Sequence, residues 1–214
     1  MNAGGLTVAK KMAGNAFGDA KNAVKGSMGG GNEGGINWQH YNYPPLCHVI
    51  HYDLKELEGL QKSLVKRMNW SLKLLLIILI LNFINSVAIT IGIKSAGIRI
   101  LYSVLNIVIF PPVAFFSFYR GYRGLCFPGA TLFWYYVTQG ILMCLYFCFS
   151  IISAGPFNGW LMVSFLFSGG YIFQGIVGIL ESMLYLGNVL LMAITVFQAH
   201  KFSKNPEGNN NIRV

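Results

Sequence analysis

Residues 71–93 read SLKLLLIILILNFINSVAITIGI, and this run decides the fold. It carries one charge, Lys73, close enough to its start for the ammonium to reach water along its own methylenes. As a helix its ~23 residues extend roughly 34 Å, enough to cross a ~30 Å hydrocarbon layer with some tilt. The 214-residue chain is 54% hydrophobic and only 11% charged. Soluble domains carry about 25% charged residues, so lipid is the solvent along much of this chain.

Working towards the C-terminus, Lys94, Gly97 and Arg99 mark a short turn into a second apolar stretch, about 98–119. Pro111 and Pro112 fall inside it and predict a kink. Arg120 to Pro128 reads as a short basic, aromatic connection, followed by a third stretch, about 130–152. An uncharged turn, 153–159, leads into an apolar run from Trp160 to Ala199 that is too long for one helix. Charge decides how to divide it. With four spans, the N-terminal tail, Arg120, Arg123, Lys201 and Lys204 share one side and only Lys94 and Arg99 face the other. A fifth span would put the basic C-terminal end on the wrong side of the membrane. The last span is therefore expected over about 171–199, with Trp160–Phe167 dipping in without crossing.

Working towards the N-terminus, Trp70 marks an interface. Asp53 and Glu56 have the spacing of an N-cap and its capping-box acid. Leu54, Leu57, Gln61, Leu64, Val65 and Met68 then share one helical face, with Lys55, Lys62, Lys66 and Arg67 on the others. The expectation is an amphipathic helix lying in the cytosolic headgroup layer within segment 42–70. Residues 1–41 are a Gly-, Ala-, Asn- and Lys-rich tail expected to be mobile. Val8, Met12, Ala16, Ala20 and Val24 draw a weak apolar stripe there, an optional surface helix. Residues 200–214 form a short C-terminal tail. Met1 to Gly5 lacks the basic start and apolar core of a cleaved signal peptide.

The net charge of +9 flanks apolar runs and lines no polar face, so an anionic membrane surface is the expected partner and nucleic acid is not. Cys47, Cys126, Cys144 and Cys148 lie in or beside membrane segments, which argues against a disulfide framework. No catalytic set, phosphate loop or cofactor motif is present. Cys47, His48, His51 and Asp53 form the one cluster that could hold a metal. Their loose spacing after two prolines favours a structural role, so no metal is expected.

Glu181 is an acid near the middle of the last span. Such a group must face the bundle interior and be paired or protonated. It reads as a proton or cation site, or as a helix-to-helix hydrogen bond with Gln139, Gln174 or Ser182. Gly175, Gly178 and Gly187 let helices approach closely, for packing or self-association. Arg120 and Arg123 suit phosphate oxygens, with Tyr119 and Tyr122 as anchors at headgroup depth. These four residues are the candidate contacts for anionic lipids such as phosphoinositides, although the same charges also set topology.

The order of these features resembles the secretory carrier membrane proteins over roughly Asn37 to Lys204. Asn42-Tyr43-Pro44-Pro45 and Ile50-His51-Tyr52-Asp53 resemble the Asn-Trp-Pro-Pro and Ile-His-His-Asp run of that family's plant branch. Phe118-Tyr119-Arg120 with Tyr122-Arg123 is similar to its cytosolic Trp-Tyr-Arg-Pro-(Leu/Ile)-Tyr-(Arg/Lys) peptide, with Gly121 in place of the proline. Leu180-Glu181-Ser182 matches a Leu-Glu-Ser in its last span, which favours a structural Glu181. Asn-Pro-Phe repeats and a long coiled-coil tail are absent, so adaptor binding is not carried over. The resemblance implies a post-Golgi and endosomal recycling protein of vesicles and plasma membrane, acting in exocytosis and endocytosis without enzymatic activity.

The combined expectation is an all-α membrane protein. It is a four-helix transmembrane bundle, with a cytosolic amphipathic helix before the first span and both termini cytosolic. Two other readings remain at this point: a small transporter or channel using Glu181, and an accessory subunit in a homo- or hetero-oligomeric membrane complex.

Overall fold

The computed structural model describes residues 38, 40–45, 48–94, 97–127, 130–152 and 157–204. The stripe from Val8 to Val24, and Cys47, lie outside these residues. The chain divides into a unit ending at Tyr52 and a unit beginning at Asp53.

In the first unit the chain folds back on itself once. Tyr43 pairs with Ile50 in an antiparallel bridge, their main-chain groups exchanging hydrogen bonds of 3.0 and 2.9 Å. Pro44, joined to Tyr43 by a cis bond, accepts from the His48 N–H at 2.9 Å. The Asn42 side chain accepts from the Tyr52 N–H at 2.7 Å, and the Tyr43 and Tyr52 rings pack 4.9 Å apart. Burial pushes the Tyr43 phenol above its ordinary value. His51 Nδ1 donates to the His40 carbonyl at 2.9 Å. Asn42–Pro45 and Ile50–Tyr52, two separate runs in the sequence, are thus paired with each other.

The second unit is helical: α1 (Gly59–Ile93), α2 (Ile98–Cys126), α3 (Phe133–Ile151), α4 (Trp160–Ser168) and α5 (Ile172–Lys204). Four of them, all but α4, are long and apolar enough to cross a membrane. α1 packs on α2 and α5, and α3 closes the ring by packing on the same two. Ile80, Ile91, Val108, Leu190 and Phe197 point outwards. Asn82, Asn85, Ser86, Ser117, Gln139, Asn188 and Thr195 are buried. Apolar outside and polar inside is the arrangement of helices in lipid, where interhelical hydrogen bonds and close packing supply the cohesion.

Two local expectations are corrected. Asp53 caps no helix: its Oδ1 accepts from the Lys55 N–H at 2.8 Å, and α1 begins only at Gly59 after an extended Glu58. From there the basic segment and the first span are one unbroken helix, because no proline interrupts 59–93. Its apolar face is spent on packing. Leu64 and Val65 are fully buried, Gln61 Nε2 donates to the Leu125 carbonyl at 2.6 Å, and Arg67 bonds Gln198. Trp70 stays outside, with Lys73 Nζ 5.6 Å from its ring centre.

The basic connection at Arg120–Pro128 is likewise helical as far as Cys126, since α2 continues unbroken past Pro111, Pro112 and the Tyr-Arg peptide. Gly121 fits a tight crossing. A Cβ there would stand 2.7 Å from the Tyr135 ring and 2.8 Å from Met68 Sδ. A proline at 121 would also remove the N–H owed to the Ser117 carbonyl.

Candidate functional site

The line of contacts along α5 shows how the third crossing is built. Tyr136 of α3 meets His200 at 5.9 Å, and Tyr146 and Phe149 meet Tyr185 at 5.7 and 6.0 Å. There α3 ends, well short of the start of α5. The path resumes with Asn158 beside Glu181 and Ser182. It continues through Val163 beside Gly178 and Phe167 beside Gly175. A turn through Gly170, at φ +78°, then starts α5. α3 and α4 together therefore flank α5, α3 along its later part and α4 along its start. Trp160–Phe167, expected to dip in without crossing, lies in the nine-residue helix α4, which is not among the helices long enough to span.

Glu181 lies at the break. It is nine residues into α5, about 14 Å from that end at ~1.5 Å per residue. The side chain is 1% exposed. Asn82 Nδ2 of α1 donates to its Oε1 at 2.7 Å, and Asn158 Nδ2 from the break donates to its Oε2 at 3.0 Å. Ser182 Oγ donates to the Asn158 main-chain carbonyl at 3.2 Å. Arg99, near the start of α2, donates to Asn158 Oδ1 at 2.8 Å. Arg99, Asn158, Glu181 and Asn82 thus form a relay linking α2, the break, α5 and α1.

The expected partners of Glu181 were different. Gln139 is buried elsewhere, against Leu142 and Tyr146, and Gln174 Nε2 donates to the Ala88 carbonyl at 3.3 Å. Asn82 was visible in the sequence as a polar residue in the first span. Asn158 lay in the uncharged turn 153–159, and no periodic signal connects it to residue 181. Arg99 read as a topology-setting charge.

The second candidate site is the end of α2. Arg123 is exposed, and its guanidinium lies 5.1 Å from the Phe127 ring centre. Its Nη1 reaches Tyr119 Oη at 3.4 Å. Arg120 is half-buried, with its guanidinium 5.1 Å from the Phe116 ring centre. Tyr122, expected as an anchor at headgroup depth, turns inward instead. It is fully buried and lies parallel to Phe118, centres 6.2 Å apart. One helical turn explains the division: Phe118, Gly121, Tyr122 and Leu125 share the buried face, and Tyr119 and Arg123 share the outer one. The same end of the bundle carries Lys62, Lys66 and Arg67 of α1 and Lys201 and Lys204 of α5. The other end carries Lys94 and Arg99.

A ring of four long apolar helices, with polar side chains buried among apolar ones and one strongly basic end, defines a multi-pass membrane protein. Residues 40–206 match the model of the SCAMP family, and this chain belongs to that family. No curated protein and no solved structure matches it.

Proposed function

We propose that this protein serves vesicle trafficking between post-Golgi compartments, endosomes and the plasma membrane, in exocytosis and endocytosis. The observation that carries the reading is the family match across most of the chain. The geometry contributes the basic end of the bundle, which faces the cytosol by the positive-inside rule. Arg120 and Arg123, spread over aromatic rings and flanked by Tyr119, meet the anionic headgroups of that leaflet. Phosphoinositides are the strongest candidates, because an Arg fork matches phosphate oxygens.

Two experiments test this. A fluorescent fusion should give punctate Golgi, endosomal and plasma-membrane signal, and a strictly ER or mitochondrial pattern would refute the trafficking role. Protein held in nanodiscs of neutral lipid should bind phosphoinositide-containing liposomes. At about 1 kcal/mol per basic residue near the surface, Arg120→Ala with Arg123→Ala should weaken that binding about tenfold or more. Unchanged binding sinks the lipid contact and leaves the family assignment intact.

A further inference from the structure

Ser71 of α1, Ala114 of α2, Gln139 and Tyr146 of α3 and Met192 of α5 line one cavity, with room for about one water molecule. All four long helices contribute to it, so it lies inside the ring. Gln139 and Tyr146, 6% and 1% exposed, stand two helical turns apart on one face of α3. Among the described residues, neither Gln139 Oε1 nor Tyr146 Oη has a hydrogen-bond partner in the protein. Ser71, 8% exposed, donates its hydroxyl hydrogen to Asn188 Oδ1 at 2.7 Å, and the lone pairs of its oxygen can still accept. Buried polar side-chain atoms are nearly always bonded, to protein or to ordered water. Two such exceptions on residues lining one cavity point to a ligand in it.

We infer that this cavity binds one water molecule, which accepts from the Tyr146 hydroxyl and donates to Gln139 Oε1 and Ser71 Oγ. Among the described residues, none that lines the cavity carries a charge, so the ligand is neutral. The room available excludes anything much larger than water. The hydrogens also balance. Tyr146 supplies one, the water supplies two to the two acceptors, and three bonds are usual for a buried water. α1 and α3 stand across the ring from each other, since each packs on α2 and α5. The water therefore joins the diagonal pair, and the Ser71–Asn188 bond extends the link to α5. In a bundle whose helices cohere through close packing and hydrogen bonds, such a bridge fixes how the diagonal pair is set.

This inference is independent of the trafficking reading, since localisation can fail without touching it. The test is X-ray radiolysis of the full-length protein in nanodiscs, with side-chain oxidation read by mass spectrometry. Radiolysis turns a bound water into hydroxyl radical, which oxidises the side chains beside it. Tyr146 should be oxidised several-fold faster than Tyr135, which is also 1% exposed but does not line the cavity. Gln139→Leu removes one of the two acceptors and should bring the Tyr146 rate down to that of Tyr135. Equal rates in the native protein, or an unchanged Tyr146 rate in the variant, would overturn the site. Thermal unfolding gives a second readout through its sign. Tyr146→Phe keeps the ring and deletes only the hydroxyl. With the water bound, a hydrogen bond is lost and the melting temperature should fall by about 2–4 °C. In a dry cavity the hydroxyl is a buried polar group without a partner, and its removal relieves a cost. A raised or unchanged melting temperature would therefore also overturn the site.

Discussion

Gly159 shows how closely the break is fitted. Its φ of −62° is open to any residue, yet a Cβ there would stand 2.5 Å from the Ile151 carbonyl carbon and 2.6 Å from the Ile152 oxygen. Both obstacles are backbone and cannot rotate away. Gly159→Ala should therefore destabilise by about 2–3 kcal/mol, the scale of an overpacked core, measured as a lower midpoint for loss of the monodisperse peak after heating. Gly140 is the control, since a Cβ there meets nothing within 4 Å. Gly140→Ala should be neutral or stabilise by up to ~1 kcal/mol through helix propensity. If both substitutions behave alike, the close contact at the break is not a constraint. At this scale the sequence was partly legible. An acid inside an apolar run has to be accounted for, so Glu181 stood out. Asn158 did not, because its meaning depends on a contact made across the break.

At the scale of elements, apolar length identified the long helices well, and their ends poorly. Both main corrections arise where a basic, amphipathic stretch adjoins a span. In isolation, Leu64, Val65 and Met68 need an apolar surface, and bilayer and protein serve equally well. The folded chain offers protein, so α1 continues as one helix. Likewise Arg120 and Arg123 looked like a turn because charge was taken to end the helix, whereas hydrogen bonding continues to Cys126. Spin labels at Leu60 and Ile91, both exposed, test the first correction. A continuous helix puts them about 46 Å apart at ~1.5 Å per residue. A bend at Trp70 into the membrane plane would bring them to roughly 35 Å on the same rise. A distance distribution centred on the shorter value would restore the surface helix.

For the whole molecule, the argument from charge carries most of the weight. Polar groups inside a lipid-facing shell fix which faces of the helices meet, but they say nothing about which end of the bundle faces which compartment. That is set by where Lys and Arg lie close to the spans. Lys62, Lys66, Arg67, Arg120, Arg123, Lys201 and Lys204 gather at one end, with Lys94 and Arg99 at the other. An even number of crossings is what lets the basic segments before α1 and at the end of α5 share that side. The four helices long and apolar enough to cross give that even count, and α4, with nine residues, is not among them. The expected topology can be read with an impermeant maleimide, in a background lacking the native cysteines. In sealed vesicles with the cytosolic face outward, Ser203→Cys should label readily. Gly97→Cys, exposed in the fold, should label only after the bilayer is permeabilised. Labelling of both from outside would mean that α3 and α4 each cross the membrane, and the four-span count would then have to be abandoned. Labelling of Gly97→Cys alone would reverse the orientation and place Arg120 and Arg123 away from the anionic cytosolic leaflet, so the lipid contact would fall while the bundle remained.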